Sequence, residues 1–457
     1  MITSRADVYR ALTNGEAILV RIPISRERGQ SYVFHHGAVL RPIHADERIA
    51  QESFLFGERL NTCFSVRPPH ACVMPVEVDP KTYIMHVEDL RRATGAKYLV
   101  FEGYAIDPKE EGVDLVNALA AHFAGKLEVI NPPASVVAHW NDKPTFRRNV
   151  VDEFGEKAIP WGTRVENLVD DQLVAAMLRA RQMSPVRRAI LKIGGAGGLG
   201  NVILEAHDDE TAAYDRVELL KKTPVWRFAK DALAEAWVPW EETLCCSFFV
   251  TNEKLVIPME MCSQVISAKT AGFMGGTSHI AVNRTEQEEI REVLLSVVRR
   301  MALEGMRGFL AMDVIISKEH GGLPLSSGRC VRLIEANMRV NGHNQERMFV
   351  WRVARRDGIA PDSVAHMRLG AYASGKQDMN SAHAAFDVAL RGKAISFTVA
   401  STESPIRRGF VYYVVMDNHG GDPSLYDAVL LFGHGLSKSD PFGNARRALE
   451  RAGLLRG

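Results

Sequence analysis

Lys192 lies in an apolar run that leads into a glycine-dense loop. The stretch 189–204 reads Ala-Ile-Leu-Lys-Ile-Gly-Gly-Ala-Gly-Gly-Leu-Gly-Asn-Val-Ile-Leu. Glycine backbones approach a phosphate closely and can aim N–H groups at it, and the lysine adds a positive charge beside them. The chemistry is a grip on nucleotide phosphates. Gly195, Gly197 and Gly200 also satisfy G-x-G-x-x-G, the dinucleotide fingerprint. That fingerprint runs from a strand into a helix whose N-terminus meets the pyrophosphate. Here the glycines are followed by Asn-Val-Ile-Leu-Glu, which reads as a strand. A strand–loop–strand hairpin fits better, and a lysine inside the first strand is foreign to a dinucleotide fold. No Gly-Lys-Ser/Thr follows the glycines, which excludes a Walker loop.

A second constellation lies about 120 residues later, on two strands predicted at 309–317 and 330–336. Asp313 is on the first, with Glu335 and Asn337 on its partner. Residues two apart on a strand project to one face, and Asp313 on an antiparallel neighbour can share it. Two carboxylates and an amide oxygen make an all-oxygen site suited to Mg²⁺ carrying nucleotide phosphates. Arg339 can reach a phosphoryl oxygen. Taken alone, D…E-x-N is equally a solvated strand face. Between the two constellations, Glu235-Ala-Trp-Val-Pro-Trp-Glu-Glu242 joins two elements. Such a connector can offer backbone groups to a base edge and a carboxylate to ribose hydroxyls, or it can be a plain polar turn.

The order carries more than any one motif: Asn-Asp-Lys143, Lys192 with its glycine loop, Glu235 to Glu242, Asp313, then Glu335-x-Asn337-x-Arg339. Over residues 134–345 this resembles the ATP-grasp superfamily, with Trp240 where glycine is common in the hinge. The resemblance implies ATP as substrate and Mg²⁺ as cofactor, with two ions expected and Mn²⁺ an alternative. Lys143 and Lys192 would contact phosphates, and Gly195, Gly197, Gly198 and Gly200 would close over them. Glu235, with the backbone near Trp237 and Val238, would hold adenine, and Glu242 the ribose. Asp313, Glu335 and Asn337 would bind metal. Lys269 would be a further phosphate contact, or equally an exposed loop lysine. Amino-acid ligases of the superfamily often carry an arginine where this chain has Ala311. Arg339 or Arg332 would then supply the charge on the transferred phosphoryl group. His279, His343 and Asn344 fall near the site, where a structural role is the simpler expectation for each histidine.

The activity implied is a carbon–nitrogen ligase. A carboxylate is phosphorylated by ATP, and an amine, an amino acid or peptide, displaces phosphate from the acyl phosphate. The specialised architecture suggests peptide formation in natural-product biosynthesis. A kinase acting on a hydroxyl and a non-catalytic nucleotide-binding module are the alternatives, and a homodimer is left open.

The elements that must position these residues read as mixed α/β, an α+β chain with an ATP-grasp fold. Strands at 16–24, 98–101 and 127–130 with a helix at 113–123 suggest a βαβ unit. Pro144 suits the first turn of a helix ending near Phe154. Further helices are expected at 165–182, 208–222 and 225–236, and strands at 244–250 and 255–261. Thr285 and Glu288 form a capping box for a helix that Gly305 ends, with Ile290, Val293, Leu294, Val297, Val298 and Met301 spaced along one apolar face. Residues 318–329 read as a loop and 43–80 as unreadable. Beyond 366 come strands at 394–399, 409–416 and 428–432 and a helix at 441–452. The domains follow as 1–133, 134–365 with a lid part about 160–240 and a metal part about 241–345, and 366–457.

The chain has 457 residues, enough for two or three cores, and 46% hydrophobic against 24% charged residues is ordinary for a globular protein. The formal net charge of +1 gives no bulk attraction to nucleic acid or membrane. No apolar run approaches a membrane span, and the first residues lack the apolar core of a signal peptide. None of the six cysteines forms C-x-x-C. Adjacent Cys245 and Cys246 should point to opposite faces of a strand, as buried thiols of a reducing, cytoplasmic setting.

Overall fold

The structure is a computed structural model that describes residues 1–13, 16–20, 80–101, 111–194, 201–223, 226, 229–266, 273–318, 321–371, 379–397, 405–416, 427–436 and 441–455. Gly195, Gly197, Gly198, Gly200, Lys269, Cys63 and Cys72 lie outside the described residues, as does nearly all of the stretch 43–80.

Three sheets organise these residues. The first is parallel: β1 (Ala17–Val20), β2 (Tyr98–Phe101) and β3 (Glu128–Ile130) lie in that order. The helix Glu111–Phe123 connects β2 to β3, which is the expected βαβ unit.

The second sheet runs β4 (Gly162–Val165), β7 (Ala232–Ala236), β5 (Ala189–Ile193), β6 (Asn201–Leu204). β5 and β6 form the antiparallel hairpin expected around the glycines, with Lys192 opposite Asn201. The helices Asp170–Met183 and Glu210–Lys221 bury their apolar faces against this sheet, among them Leu173, Met177, Val217 and Leu220. Two expectations fail here. The helix placed at 165–182 begins at Asp170, because residues 162–165 pair with β7. The helix placed at 225–236 is not one: Ala232–Ala236 is a fully buried strand between β4 and β5. Ala-Leu-Ala-Glu-Ala has strong helix propensity, but pairing and burial on both sides outweigh that weak local preference.

The third sheet has ten strands in the order β12-β13-β11-β8-β9-β10-β14-β17-β16-β15. They are β8 (Glu242–Val250), β9 (Val256–Ile266), β10 (Phe273–Thr277), β11 (Gly308–Ser317), β12 (Leu323–Pro324), β13 (Cys330–Asn337), β14 (Val364–Ala371), β15 (Ile395–Ser396), β16 (Val411–Met416) and β17 (Asp427–His434). The expected loop at 318–329 thus contains the short strand β12. β14 pairs with β10 on one side and β17 on the other, so the last strands of the chain extend the sheet that carries Asp313 and Glu335.

One face of this sheet packs on the helix Arg284–Leu303, which buries Ile290, Leu294, Val297, Val298 and Met301. That is the apolar stripe read from the sequence. Its capping box is formed by Asn283 and Glu286, not Thr285 and Glu288. Both pairs fit the spacing, and the N-cap lies two residues earlier, with Glu304 at the C-cap and Gly305 at φ 112. The other face packs on the helix Gly342–Arg356. The N-terminal helix Arg5–Thr13 closes over it, with Tyr9 stacked on Trp351 at 5.0 Å and donating to buried Glu260. Cys245 and Cys246 do split between the faces: Cys246 joins the core under Arg284–Leu303, and Cys245 accepts from Asn341 Nδ2 at 3.2 Å on the opposite side. Cys245, Cys246, Cys262 and Cys330 are buried free thiols. No helix among the described residues is long and apolar enough to cross a membrane.

Candidate active site

Asp313 on β11 stands directly opposite Glu335 on β13, and the register shifts just after it, between Asp313 and Val314. Such a bulge re-aims neighbouring side chains. Asp313 Oδ2 accepts from Asn337 Nδ2 at 3.0 Å, and Oδ1 accepts from Gln264 Nε2 at 3.1 Å. Asn337 Oδ1 accepts in turn from Arg339 Nη1. Burial pushes the Asp313 carboxyl up to about 6, and the neighbouring Glu335 charge adds to it. Burial pushes Glu335 the same way, but Lys143 and Lys192 outweigh it and hold Glu335 below the usual carboxylate range.

Both lysines reach this point from the other elements. Lys143 opens the helix Lys143–Phe154. Its N-cap Asp142 accepts from Thr145 N, and Pro144 occupies the first turn as expected. The Lys143 ammonium lies 3.2 Å from Glu335 Oε2. Lys192, on β5, pairs with Glu235 Oε2 on the adjacent β7. Burial opposes its charge, but Glu235 and then Glu335 overcome that and raise its pKa.

Most of these groups share one cleft between the four-stranded and ten-stranded sheets; Lys143 meets it through Glu335, and Asn337 and Arg339 stand behind its wall-lining residues. Lys192, Glu235, Trp237, Val238, Asp313 and Glu335 line it, together with Trp240, Thr243 and Gln264. At one end Trp237 and Trp240 lie 4.8 Å apart beside Ile190 and Ile203. The Arg188 guanidinium covers Trp237 at 4.3 Å. Glu235 Oε1 is buried there without a hydrogen-bond partner among the described residues. A buried acceptor left unpaired is costly, and an amino donor on a flat base would satisfy it. At the other end the Asp313 and Glu335 carboxylates meet, with the Asn337 amide beside them, its nitrogen on Asp313 and its oxygen on Arg339. Asp313 and Glu335 repel each other, and hard oxygen donors of this kind suit Mg²⁺. The donor set therefore fits both groups.

The remaining expectations divide. Glu242, expected to hold ribose, does not line the cleft: its Oε1 accepts from Ala281 N at 3.0 Å. The strand alternation that points Glu242 away brings Thr243 to the cleft wall instead. Arg339 sits beside the metal candidates, whereas Arg332 donates to Ser317 Oγ at 3.0 Å and does not line the cleft. His279 does not line it either. Asn344 serves a capping box with Asn341. His343 is buried over Gly276, where an added Cβ would come within 1.8 Å of its ring. Gly276→Ala should therefore overpack this contact and destabilise the fold by about 1–3 kcal/mol, read from the urea midpoint at unchanged m.

Gln264 is the residue that sequence reasoning missed. The strand expected to end at 261 continues to Ile266, and period-two alternation along that extension puts Gln264 on the same side as Cys262. A polar side chain in a run that keeps its strand character was the available signal.

No family model and no curated protein matches the chain. Solved structures do. An N5-carboxyaminoimidazole ribonucleotide synthetase in its ADP complex is similar with a TM-score of 0.53 at 10% identity, covering 95% of this chain and 97% of that one. The N5-carboxyaminoimidazole synthase of Aspergillus clavatus, in complex with ADP and 5-aminoimidazole ribonucleotide, gives 0.53 at 11% identity over 96% and 99%. The Staphylococcus aureus N5-carboxyaminoimidazole synthetase gives 0.51 at 10% over 98% and 100%. These likenesses show the fold, the ATP-grasp architecture expected from the ordered motifs.

Proposed function

We propose that this chain of ATP-grasp fold is an ATP-dependent ligase that joins a carboxylate to an amine through an acyl phosphate. The observation that carries this is the convergence of two buried lysine–carboxylate pairs, Lys143–Glu335 and Lys192–Glu235, on one cleft with Asp313. The pairs deliver positive charge to the phosphate end, and Glu235 Oε1 marks the base end. Two aligned neighbours are complexes with ADP and one with ATP, which supports a nucleotide in this cleft.

Asp313, Glu335 and Asn337 would hold Mg²⁺, which when bound supplies Lewis-acid charge for phosphoryl oxygens. In the first step a carboxylate oxygen bonds to the γ-phosphorus as its bond to ADP breaks. In the second the amine nitrogen bonds to the acyl carbon, the phosphate leaves with the bonding pair, and the nitrogen releases a proton. Lys143 and Lys192 would neutralise charge on the phosphates, and Arg339 would stand in for the cation missing at Ala311. Catalysis of phosphoryl transfer rests mainly on such positioning and charge.

The test is a screen of amino acids, peptides and simple amines for ATP consumption, with products read by mass spectrometry. An amide with stoichiometric ADP and phosphate is expected. ATP consumption that yields only a phosphorylated hydroxyl compound would replace the ligase by a kinase.

A further inference from the structure

Gln264 and Asp313 are not on neighbouring strands. β8 lies between β9 and β11; Asp313 stands opposite Cys245 on β8, and Cys245 stands opposite Cys262 on β9, two residues before Gln264, so the contact runs diagonally across β8. Neighbouring strands lie about 4.8 Å apart, so a contact across β8 spans roughly 10 Å between backbones. The observed hydrogen bond, Gln264 Nε2 to Asp313 Oδ1 at 3.1 Å, therefore uses an extended side chain. Asparagine, one methylene shorter, would fall short.

The surroundings leave Gln264 little choice of direction. Its backbone is tied across β8–β9, where Thr243 Oγ1 donates to Gln264 O at 3.0 Å. On its other side its register partner is Gly276 on β10, and the space over that glycine is filled by the His343 ring. The amide orientation follows from its partner: a carboxylate accepts, so Nε2 faces Asp313. Asn337 Nδ2 holds the second oxygen of the same carboxylate. Two amides from opposite sides thus fix the plane of the Asp313 carboxylate.

We infer that Gln264 is a positioning residue for the metal centre, orienting Asp313 through an amide N–H that only a side chain of glutamine's length delivers across β8. This rests on the assignment of Asp313 as a metal ligand under the proposed function. Groups that orient a metal ligand typically contribute about 10–100-fold to metal affinity.

The experiment measures Mn²⁺ affinity by electron paramagnetic resonance titration of the full chain with a non-hydrolysable ATP analogue. The proteins compared are the wild type, Gln264→Met and Gln264→Asn. Methionine keeps the length and removes the amide; asparagine keeps the amide and removes the length. Both variants are expected to weaken Mn²⁺ binding by about tenfold or more, while their unfolding midpoints in EDTA stay close to wild type. Wild-type affinity in either folded variant overturns the inference: Met would show that the amide is dispensable, Asn that its reach is. The two variants also guard against a folding failure in one. If the wild type binds no Mn²⁺, the metal assignment itself fails; if it binds and the variants match it, only the role of Gln264 falls.

Discussion

Asp313→Asn is expected to reduce ADP-forming turnover by about a thousandfold, on the scale of losing one strong charge-stabilising group at a reacting phosphoryl centre, and at the same time to stabilise the metal-free protein at neutral pH. The second effect follows from linkage. An unfolded aspartate titrates near 3.9, whereas burial and then Glu335 raise Asp313 to about 6 in the native protein. Between those values the native state binds more protons than the unfolded chain, so the Asp313 contribution falls as pH rises from about 4 to about 6 and stays low above that. Asparagine retains the shape and removes the charge. The check is thermal unfolding in EDTA from pH 4 to 8. The variant should gain on the wild type as pH rises through that window, and added Mg²⁺ should narrow the gap by stabilising the wild type alone. A variant less stable than wild type at pH 7 in EDTA would contradict this.

Lys192→Met should destabilise the fold by about 3–5 kcal/mol, because it leaves a buried carboxylate without its counter-ion. Glu235 is 1% exposed, with Oε2 on Lys192 and Oε1 already without a hydrogen-bond partner among the described residues. Urea unfolding measures the loss. Adding Glu235→Leu in the same chain removes the stranded charge and should restore most of the stability, since replacing both members of a buried pair by apolar groups is often neutral. ATP affinity should not return, because the double variant has lost both the phosphate-facing charge and the buried acceptor at the base end. Recovery of ATP binding together with stability would show that the pair is structural and not part of the nucleotide site.

Much of this architecture was legible because it is local. The hairpin around Lys192, the strand bearing Asp313 and the apolar stripe of Arg284–Leu303 each declare themselves by period and turn chemistry. The order of motifs also groups Lys143, Lys192, Glu235, Asp313 and Glu335, side chains that the fold brings together. What could not be read depends on neighbours distant in sequence. Ala232–Ala236 is a strand only because β4 and β5 flank it. Glu242 turns away from the cleft because the register of β8 is set by β9 and β11. Gln264 matters only because β8 separates it from Asp313. Neither the pairing that makes Ala232–Ala236 a strand nor the cross-sheet register that places Glu242 and Gln264 is written in any one segment.

The most direct measurement follows one oxygen. A carboxylate that triggers ADP release is supplied with ¹⁸O in both oxygens, and the phosphate formed with Mg²⁺ and an amine acceptor is examined by ³¹P NMR. Attack of the carboxylate on the γ-phosphorus, followed by displacement by the amine, leaves one ¹⁸O in the phosphate. The isotope-shifted signal should appear in step with amide product and vanish in Asp313→Asn. Amide formation with phosphate free of ¹⁸O would contradict an acyl phosphate in this cleft.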